Sequence, residues 1–172
     1  NEAAPCNIAL MRQAQSVKKG VRVNGGTPRE FCTITVTDGI AMGHEGMKSS
    51  LISREVIADS AELTVRGHCY DALVGIAGCD KSLPGLMMSM LRLNVPSVFI
   101  YGGSILPGKF KGKDVTVVDV FEAVGKHSAG TMSSKELKEL ELVACPSAGA
   151  CGGQFTANTM ACVSEAIGLA LP

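Results

Sequence analysis

Tryptophan is absent from this 172-residue sequence, and charged side chains are scarce. Only 19% of the residues are charged, and 16 acidic residues balance 16 lysines and arginines, so the formal net charge is zero. Proteins that bind nucleic acid carry a basic surface, which this composition does not supply. The scarcity and balance of charge therefore argue against nucleic acid and other polyanions as partners.

Long apolar runs are also missing, although 46% of the residues are hydrophobic. No stretch approaches the roughly 18 apolar residues that a membrane helix needs, and no charged-then-apolar leader opens the sequence. A chain of this length can bury roughly 70% of the surface that it exposes when unfolded. We therefore expect a soluble protein with a substantial core and no membrane partner, cytoplasmic or, in a eukaryote, organellar.

The two ends of the sequence suggest a piece of a longer chain. The sequence begins at Asn1 rather than at a methionine, and it stops at Pro172 directly after the apolar stretch MACVSEAIGLALP. Low charge and the lack of tryptophan are consistent with a surface that packs against more protein. We therefore expect residues 1–172 to be part of a larger domain.

Paired cysteines of the CxxC type are absent, although seven cysteines occur. An odd, unpaired set disfavours both a disulfide framework and a zinc ribbon. Cys6, Cys79 and Cys151 are predicted to lie beside the start of a helix, where exposed backbone N–H groups stabilise a thiolate. The other four are expected to be buried and inert. They are Cys32, Cys69, Cys145 and Cys162.

Hydrophobic periodicity predicts an alternation of helices and strands. Helical spacing occurs at 5–20, 49–67, 84–94, 115–127, 134–143 and 155–169. Short β-branched or apolar runs predict strands at 31–36, 72–78 and 97–103. One face of the second helix is predicted to carry Leu51, Ile52, Val56, Ala61 and Leu63. This order predicts an α/β fold, a mostly parallel sheet flanked by helices and built from right-handed βαβ units.

Candidate ligands follow the predicted strands at their carboxyl ends, where parallel sheets bind ligands. Asp38 follows the first predicted strand, and the Cys-Asp-Lys run at 79–81 follows the second. If the three thiols converge, they suit an iron–sulfur cluster better than catalytic zinc, and aspartate oxygens suit Mg²⁺. Ordinary alternatives stay open, because a cysteine in a glycine-rich loop is often inert and an aspartate there often caps a turn.

Six separate blocks of the sequence resemble one protein family. They are PCN, TVTDGIAMGHEGM, SLISREVIADS, GCDKSLPG, YGGSILPG and CPSAGACGGQFTANTM. In this order and spacing they are similar to the N-terminal part of the dihydroxyacid and phosphogluconate dehydratase family, and the resemblance covers the whole chain. It implies a partial N-terminal domain of a larger two-domain enzyme, with the C-terminal domain absent.

The resemblance implies two cofactor sites. Cys6, Cys79 and Cys151 would ligate an iron–sulfur cluster, for which 2Fe-2S is favoured over 4Fe-4S. The implied Mg²⁺ site is built by Asp38, Asp80 and Lys81. In some members this lysine is carbamylated, which turns the amine into a carboxylate-like ligand. A plain ion pair between the lysine and the neighbouring aspartate is the alternative.

The implied reaction is the dehydration of a 2,3-dihydroxy acid to a 2-oxo acid by a hydro-lyase. Blocks such as GHEGM and GACGGQFTANTM look more like the members that act on 2,3-dihydroxy-3-methyl acids in valine and isoleucine synthesis than like their sugar-acid relatives. The general base, a serine in the family, lies later in those longer proteins. No catalytic residue is therefore assigned within residues 1–172, and the isolated fragment is expected to be inactive.

Partners are implied by the resemblance as well. They are a small dihydroxy acid, the remainder of the same chain and a second copy in a homodimer. A different class stays open, in which the chain is a non-catalytic redox-sensing or binding module whose thiols respond to oxidant. Iron and acid-labile sulfide would distinguish the two classes, because a sensor based on free thiols contains neither.

Three further features of the sequence are not assigned to the cofactor sites. The family pattern usually has Gly or Ala ten positions after the second of the three cysteines, where this chain has Ser89, and this puts helix packing in doubt. GSILPGK at 103–109 fits a phosphate-loop spacing, but Phe110 replaces the required Ser or Thr, so a turn is favoured over nucleotide binding. His44 is expected to be a hydrogen-bonded loop residue rather than a site residue.

Overall fold

Helices and strands alternate through residues 2–172, the part of the chain that this computed structural model describes. The helices are α1 (Leu10–Val23), α2 (Asp38–Ala41), α3 (Ser50–Gly67), α4 (Ser82–Leu93), α5 (Val117–Ser128), α6 (Ser134–Ala144) and α7 (Thr156–Ala166). The strands are β1 (Leu73–Ala77), β2 (Ser97–Tyr101), β3 (Gly108–Phe110) and β4 (Lys113–Val115). Short 3-10 turns cover Pro5–Asn7 and Glu45–Ser49.

The parallel pair of β1 and β2 forms the centre of the fold. Gly75 lies opposite Phe99 and Ala77 opposite Tyr101, and α4 connects the two strands as a βαβ unit. Because the strands run in the same direction, their carboxyl ends share one edge, where the Gly102 N–H donates to the Ala77 carbonyl at 2.8 Å. The predicted α/β fold with a parallel sheet flanked by helices is confirmed, with two strands in that sheet.

The strand predicted at 31–36 is wrong. These residues are extended, but they belong to neither of the two sheets formed within residues 2–172. An apolar cleft of about 590 Å³ lies between this segment, α1 and β1. A β-branched run becomes a strand only where a neighbouring backbone is close enough to pair with it, and the cleft prevents that here. The segment nevertheless delivers Asp38 to the carboxyl edge of the sheet.

The face predicted for α3 is also wrong for most of its residues. Leu51 and Ile52 are each 60% exposed and Leu63 is 71% exposed, and only Ala61 of that set is buried. The buried side of α3 consists mainly of small residues. It comprises Ser50, Ser53, Ile57, Ala58, Ala61 and Val65.

Close packing against α4 explains why α3 buries small residues. A Cβ on Gly85 of α4 would lie 2.9 Å from the Arg54 carbonyl oxygen, so the two backbones approach where a larger side chain would not fit. Ser89 continues this contact one turn later and is fully buried. Its hydroxyl donates to the Leu86 carbonyl of the same helix at 2.8 Å, so the hydroxyl leaves no unpaired polar group.

Residues 108–115 form an antiparallel hairpin, in which Lys109 pairs with Asp114. The turn places Lys111 and Gly112 at positive φ, 49° and 78°. A phosphate loop leads into a helix whose N-terminus faces the phosphates, whereas this segment leads into a strand. The preference for a turn over nucleotide binding is therefore supported.

Within residues 2–172, two large hydrophobic cores stabilise the structure, and a third, small cluster joins Ala4, Cys6 and Cys79. The larger core surrounds β1, β2, α3 and α4 and includes the fully buried Phe99, Ile57 and Leu83. The smaller core lies between the hairpin, α5 and α6. Its buried members are Val115, Ala123, Leu140 and Ala144. In the described part of the chain, no helix has the length and apolar character needed to cross a bilayer.

Candidate active site

The sequence-predicted site residues lie at the carboxyl edge of β1 and in the loops around it. Residues 79–81 connect β1 to α4, and Asp38 is the first residue of α2. Cys6 lies in the 3-10 turn Pro5–Asn7, not in the first turn of the helix predicted at 5–20, because α1 begins only at Leu10. Cys151 lies in the irregular loop before α7.

The Cys6 thiol contacts both of the other predicted ligand thiols. Hydrogen bonds with the Cys151 and Cys79 thiols, together with burial, raise the pKa of Cys6. The hydrogen bond from Cys6 lowers the pKa of Cys151 to about 7, although burial opposes this. Cys6 and Cys79 are buried and Cys151 is half-buried. Three thiols that are distant in sequence therefore lie close together, and the lowered pKa of Cys151 favours its thiolate form.

The proximity of the Cys6 thiol to the other two thiols does not by itself make a metal site. Among residues 2–172, no three His, Cys, Asp or Glu side chains already surround a single metal position. The donor set still suits an iron–sulfur cluster, because its three members are thiols and none is a histidine. The assignment of Cys6, Cys79 and Cys151 as cluster ligands remains a prediction that this geometry supports.

Gly78 allows the first turn of the chain to approach the end of β1. A Cβ added to Gly78 would come closer than 3.0 Å to the carbonyl oxygen of Cys6. The Gly78 N–H also donates to the side-chain oxygen of the buried Asn7 at 3.2 Å. The lack of a side chain at Gly78 therefore allows the backbones of Cys6 and Cys79 to approach each other.

Gly78→Ala in the intact protein is expected to lower the free energy of unfolding by about 1–3 kcal/mol, the usual cost of overpacking, and to weaken iron retention. Urea denaturation and iron analysis measure the two effects. Gly20→Ala is the matched control, because nothing lies within 4 Å of its added Cβ in the interior of α1. The control is expected to gain roughly 0.5–1 kcal/mol from helix propensity. Equal stability of the two variants would contradict the steric argument.

Lys81 lies between two carboxylates. Its Nζ donates to Asp38 Oδ2 at 2.5 Å and to Asp80 Oδ2 at 3.2 Å. The Asp38 N–H donates to Asp80 Oδ1 at 3.3 Å, and the Ser50 hydroxyl donates to Asp38 Oδ1. The Lys81 ammonium thus lies between the two carboxylates and balances their charge. The Lys81 side chain is only 11% exposed.

These contacts shift three pKa values. Burial opposes ionisation of Asp38, but hydrogen bonds from Lys81 and Ser50 outweigh it and lower the pKa of Asp38. Burial and the hydrogen bond with Asp38 raise the pKa of Asp80. Burial opposes the charge of Lys81, but the two carboxylates outweigh it and raise its pKa. The ion pair that was the alternative for Lys81 is present, and carbamylation stays a prediction.

One contact joins the thiols to the acidic pair. The Cys79 thiol donates to Asp80 Oδ1 at 3.1 Å. Since Asp80 also contacts Asp38 and Lys81, all six predicted site residues belong to one continuous polar network. The carboxylates of Asp38 and Asp80 are suitable ligands for a hard cation such as Mg²⁺. The neighbouring thiols are suitable ligands for a softer metal such as the iron of a cluster.

The prediction that the other four cysteines are buried is wrong. Cys32, Cys69, Cys145 and Cys162 are all exposed. Cys32 lies in the segment before α2, Cys69 and Cys145 follow the ends of α3 and α6, and Cys162 lies on the outward side of α7. No core element covers these four positions within residues 2–172. The tendency of cysteine to be buried holds only where neighbouring elements supply contacts.

Sequence reasoning missed several polar residues of this network. Asn7, Ser50, Tyr101 and Asn158 all contribute hydrogen bonds around the site. The available signal was their position, since each falls inside one of the six blocks that resemble the family. His44 is hydrogen-bonded within its own loop, as predicted: its Nδ1 accepts the Gly46 N–H at 3.0 Å, and its Nε2 meets the Ile40 carbonyl at 2.8 Å.

Comparison with known proteins gives a consistent result. The family model described as "Dihydroxy-acid/6-phosphogluconate dehydratase N-terminal" matches residues 1–172. The chain is 93% identical over its whole length to a dihydroxy-acid dehydratase of Pelagibacter ubique and 87% identical to one of Parvibaculum lavamentivorans, and it covers 30% of each. It is 59% identical to a dihydroxy-acid dehydratase of Metallosphaera sedula, of which it covers 31%.

The chain thus spans about 30% of the length of the curated relatives that it matches, and the matched part is their N-terminal part. The resemblance drawn from the six blocks is therefore confirmed. Because the family model covers every residue of the sequence, this chain belongs to the dihydroxy-acid/6-phosphogluconate dehydratase family, as its N-terminal part.

Proposed function

We propose that residues 1–172 form part of the N-terminal, cofactor-binding α/β domain of a dihydroxy-acid dehydratase. The reaction would remove water from a 2,3-dihydroxy-3-methyl carboxylic acid to form a 2-oxo acid, a step of valine and isoleucine synthesis. One observation carries the proposal: the Cys6 and Cys79 thiols share one buried cluster next to Cys151, and Cys79 hydrogen-bonds to Asp80, which also accepts the Asp38 N–H. The names of the relatives give the reaction class.

The residues present fit both proposed cofactors. Cys6, Cys79 and Cys151 would hold the iron–sulfur cluster, 2Fe-2S before 4Fe-4S, and three thiolates leave a coordination position free for substrate. Asp38 and Asp80 would hold Mg²⁺, with Lys81 as a third ligand if it is carbamylated. When bound, the two groups would supply Lewis acidity towards the oxygens of the substrate.

The side chains prepare the site through charge and burial. The ammonium of Lys81 compensates the charges of Asp38 and Asp80, so two carboxylates can be held close together before a metal ion arrives. Burial of Cys6 and Cys79 keeps water away from the thiols. The thiolate character of Cys151 near neutral pH favours its use as a soft ligand. No residue of this chain is proposed as the general base.

The decisive test uses the intact protein, purified without oxygen. We expect about two iron and two sulfide per chain for a 2Fe-2S centre, and Mg²⁺-dependent formation of 2-oxo acid from 2,3-dihydroxy-3-methylbutanoate. Residues 1–172 alone should form no 2-oxo acid. Undiminished turnover by protein that contains no iron would refute the proposal.

The same measurements separate the alternatives. A higher kcat/KM for 6-phosphogluconate or a pentonate than for the branched dihydroxy acid would identify a sugar-acid dehydratase. A redox-sensing module would contain neither iron nor sulfide and would show only reversible thiol oxidation. The half-buried Cys151, whose pKa is lowered to about 7, is the thiol that such a sensor would use.

We also propose that the remainder of the chain and a second copy cover part of this surface, as in a homodimer. Large apolar side chains remain exposed on several helices, among them Leu63 at 71%, Leu91 at 64% and Leu142 at 74%. Side chains of this kind are common at contacts with further protein. A cytoplasmic location, or an organellar one in a eukaryote, is consistent with seven free cysteines.

A further inference from the structure

Cys151 is the site thiol with the least support from regular structure. It lies in a loop without helix or strand between Ala144 and Thr156, whereas Cys79 directly follows β1. Backbone hydrogen bonds hold one side of the loop, from the Ala150 N–H to the Gly103 carbonyl at 2.9 Å and from the Ile105 N–H to the Ala150 carbonyl at 2.8 Å. The next backbone hydrogen bond, from the Gly153 N–H to the Cys151 carbonyl at 2.8 Å, joins two residues of the same loop and does not connect Cys151 to the end of β2.

Asn158, in the first turn of α7, holds the other side of the loop. Its Nδ2 donates to the Cys151 carbonyl at 3.0 Å and to the Gly153 carbonyl. Its Oδ1 accepts the Ser104 hydroxyl at 2.8 Å and the Tyr101 hydroxyl. Asn158 therefore connects the Cys151 loop to the carboxyl end of β2.

Only a side-chain amide can make this set of contacts. A carboxamide has two N–H donors and two acceptor lone pairs, and Asn158 uses all four. An aspartate of the same shape would keep the contacts with Tyr101 and Ser104 but would set a carboxylate oxygen against two carbonyl oxygens. The Cys151 and Gly153 carbonyls would keep the Gly153 and Phe155 N–H groups as donors, but the loop would lose its side-chain connection to the end of β2.

We propose that Asn158 is a positioning residue for the iron–sulfur cluster, which sets the direction of the Cys151 side chain towards Cys6 by holding the Cys151 and Gly153 carbonyls. The proposal rests on the proposed function. Asn158 does not touch the thiols, and it acts through the Cys151 backbone. Residues that orient a metal ligand without binding the metal themselves typically contribute 10–100-fold to metal affinity.

The test compares Asn158→Asp with Asn24→Asp in the intact protein. Asn24 is the matched control, because its Nδ2 donates to the Gly20 carbonyl at 2.9 Å at the exposed end of α1. We expect Asn158→Asp to release iron to a chelator about 10–100-fold faster per folded molecule and to change the visible circular dichroism of the cluster. Asn24→Asp should leave both readouts unchanged.

Urea denaturation of both metal-free variants separates positioning from folding. If Asn158→Asp lowers stability but leaves the cluster spectrum and the chelation rate of the folded fraction at wild-type values, Asn158 has only a structural role and the proposal is wrong. If both variants behave like wild type, it is wrong as well. A wild-type protein without iron would instead overturn the proposed function, so the two failures are distinct.

Discussion

Cys79→Ser in the intact protein should lose iron binding while it keeps its fold. Cys79 is fully buried, and its thiol donates to Asp80 Oδ1 at 3.1 Å, a hydrogen bond that a serine hydroxyl can also make. A serine hydroxyl does not ionise near neutral pH and therefore cannot replace a thiolate as a ligand. Since indirect support of a ligand is already worth 10–100-fold, we expect iron affinity to fall by more than about 100-fold.

Iron and sulfide analysis, together with the visible absorption spectrum, measures this effect, and far-ultraviolet circular dichroism monitors the fold. Cys69→Ser is the matched control, because Cys69 is exposed and its thiol contacts only the Arg66 carbonyl, at 3.7 Å. The control should retain the full iron content and full activity. If Cys79→Ser and Cys69→Ser bind iron equally well, Cys79 is not a cluster ligand.

Lys81→Met should destabilise the intact, metal-free protein by about 3–5 kcal/mol at pH 7, because it removes one partner of a buried ionic network. The substitution leaves Asp38 and Asp80, whose side chains are 21% and 14% exposed, in contact without a compensating cation. Their mutual repulsion then opposes folding. Urea denaturation in a chelator measures the loss, and Mg²⁺ is expected to restore part of it.

The effect of Lys81→Met should depend on pH. In the native protein the pKa of Asp38 is lowered, so its stabilising contribution is complete above the ordinary carboxyl pKa and is lost as the pH falls through the lowered value. The pKa of Lys81 is raised, so its contribution is complete below its ordinary value and is lost as the pH rises through the raised one. The deficit of the variant should therefore be large at pH 7 and shrink towards pH 4, where the carboxylates of the variant become protonated.

Lys109→Met provides the comparison for Lys81→Met. Lys109 pairs with Asp114 at 2.6 Å, but the two side chains are 71% and 61% exposed. An exposed pair contributes no more than about 1 kcal/mol, so Lys109→Met should lose far less stability than Lys81→Met. If the free energy of unfolding falls by similar amounts in the two variants, burial does not strengthen the ion pairs of Lys81.

Local sequence signals predicted most of the helices, because those signals act over a few residues. The helix predicted at 134–143 is α6, whose start is capped by the Ser133 hydroxyl, which accepts the Glu136 N–H, while the Glu136 carboxylate binds Lys111. A complete capping box occurs one helix earlier, between Thr116 and Asp119. The type and approximate position of α3, α4, β1 and β2 also follow from periodicity alone.

Signals that depend on distant neighbours were less informative. The run at 31–36 has the composition of a strand but no partner within reach, and α3 buries its small residues because α4 approaches closely at Gly85. Neither fact is present in the local pattern, because pairing and steric fit involve backbone from another part of the chain. The exposure of Cys32 and Cys162 has the same origin.

Residue types and their spacing were sufficient to indicate the family, the βαβ order and the identities of the candidate ligands. The folded chain was needed to show that Cys6 lies close to Cys79 and Cys151, that Lys81 bridges two acids, and that Asn158 contacts the Cys151 loop. The physical reason is that these contacts join residues up to 145 positions apart. Such contacts form only when the parallel strands bring their carboxyl ends to one edge.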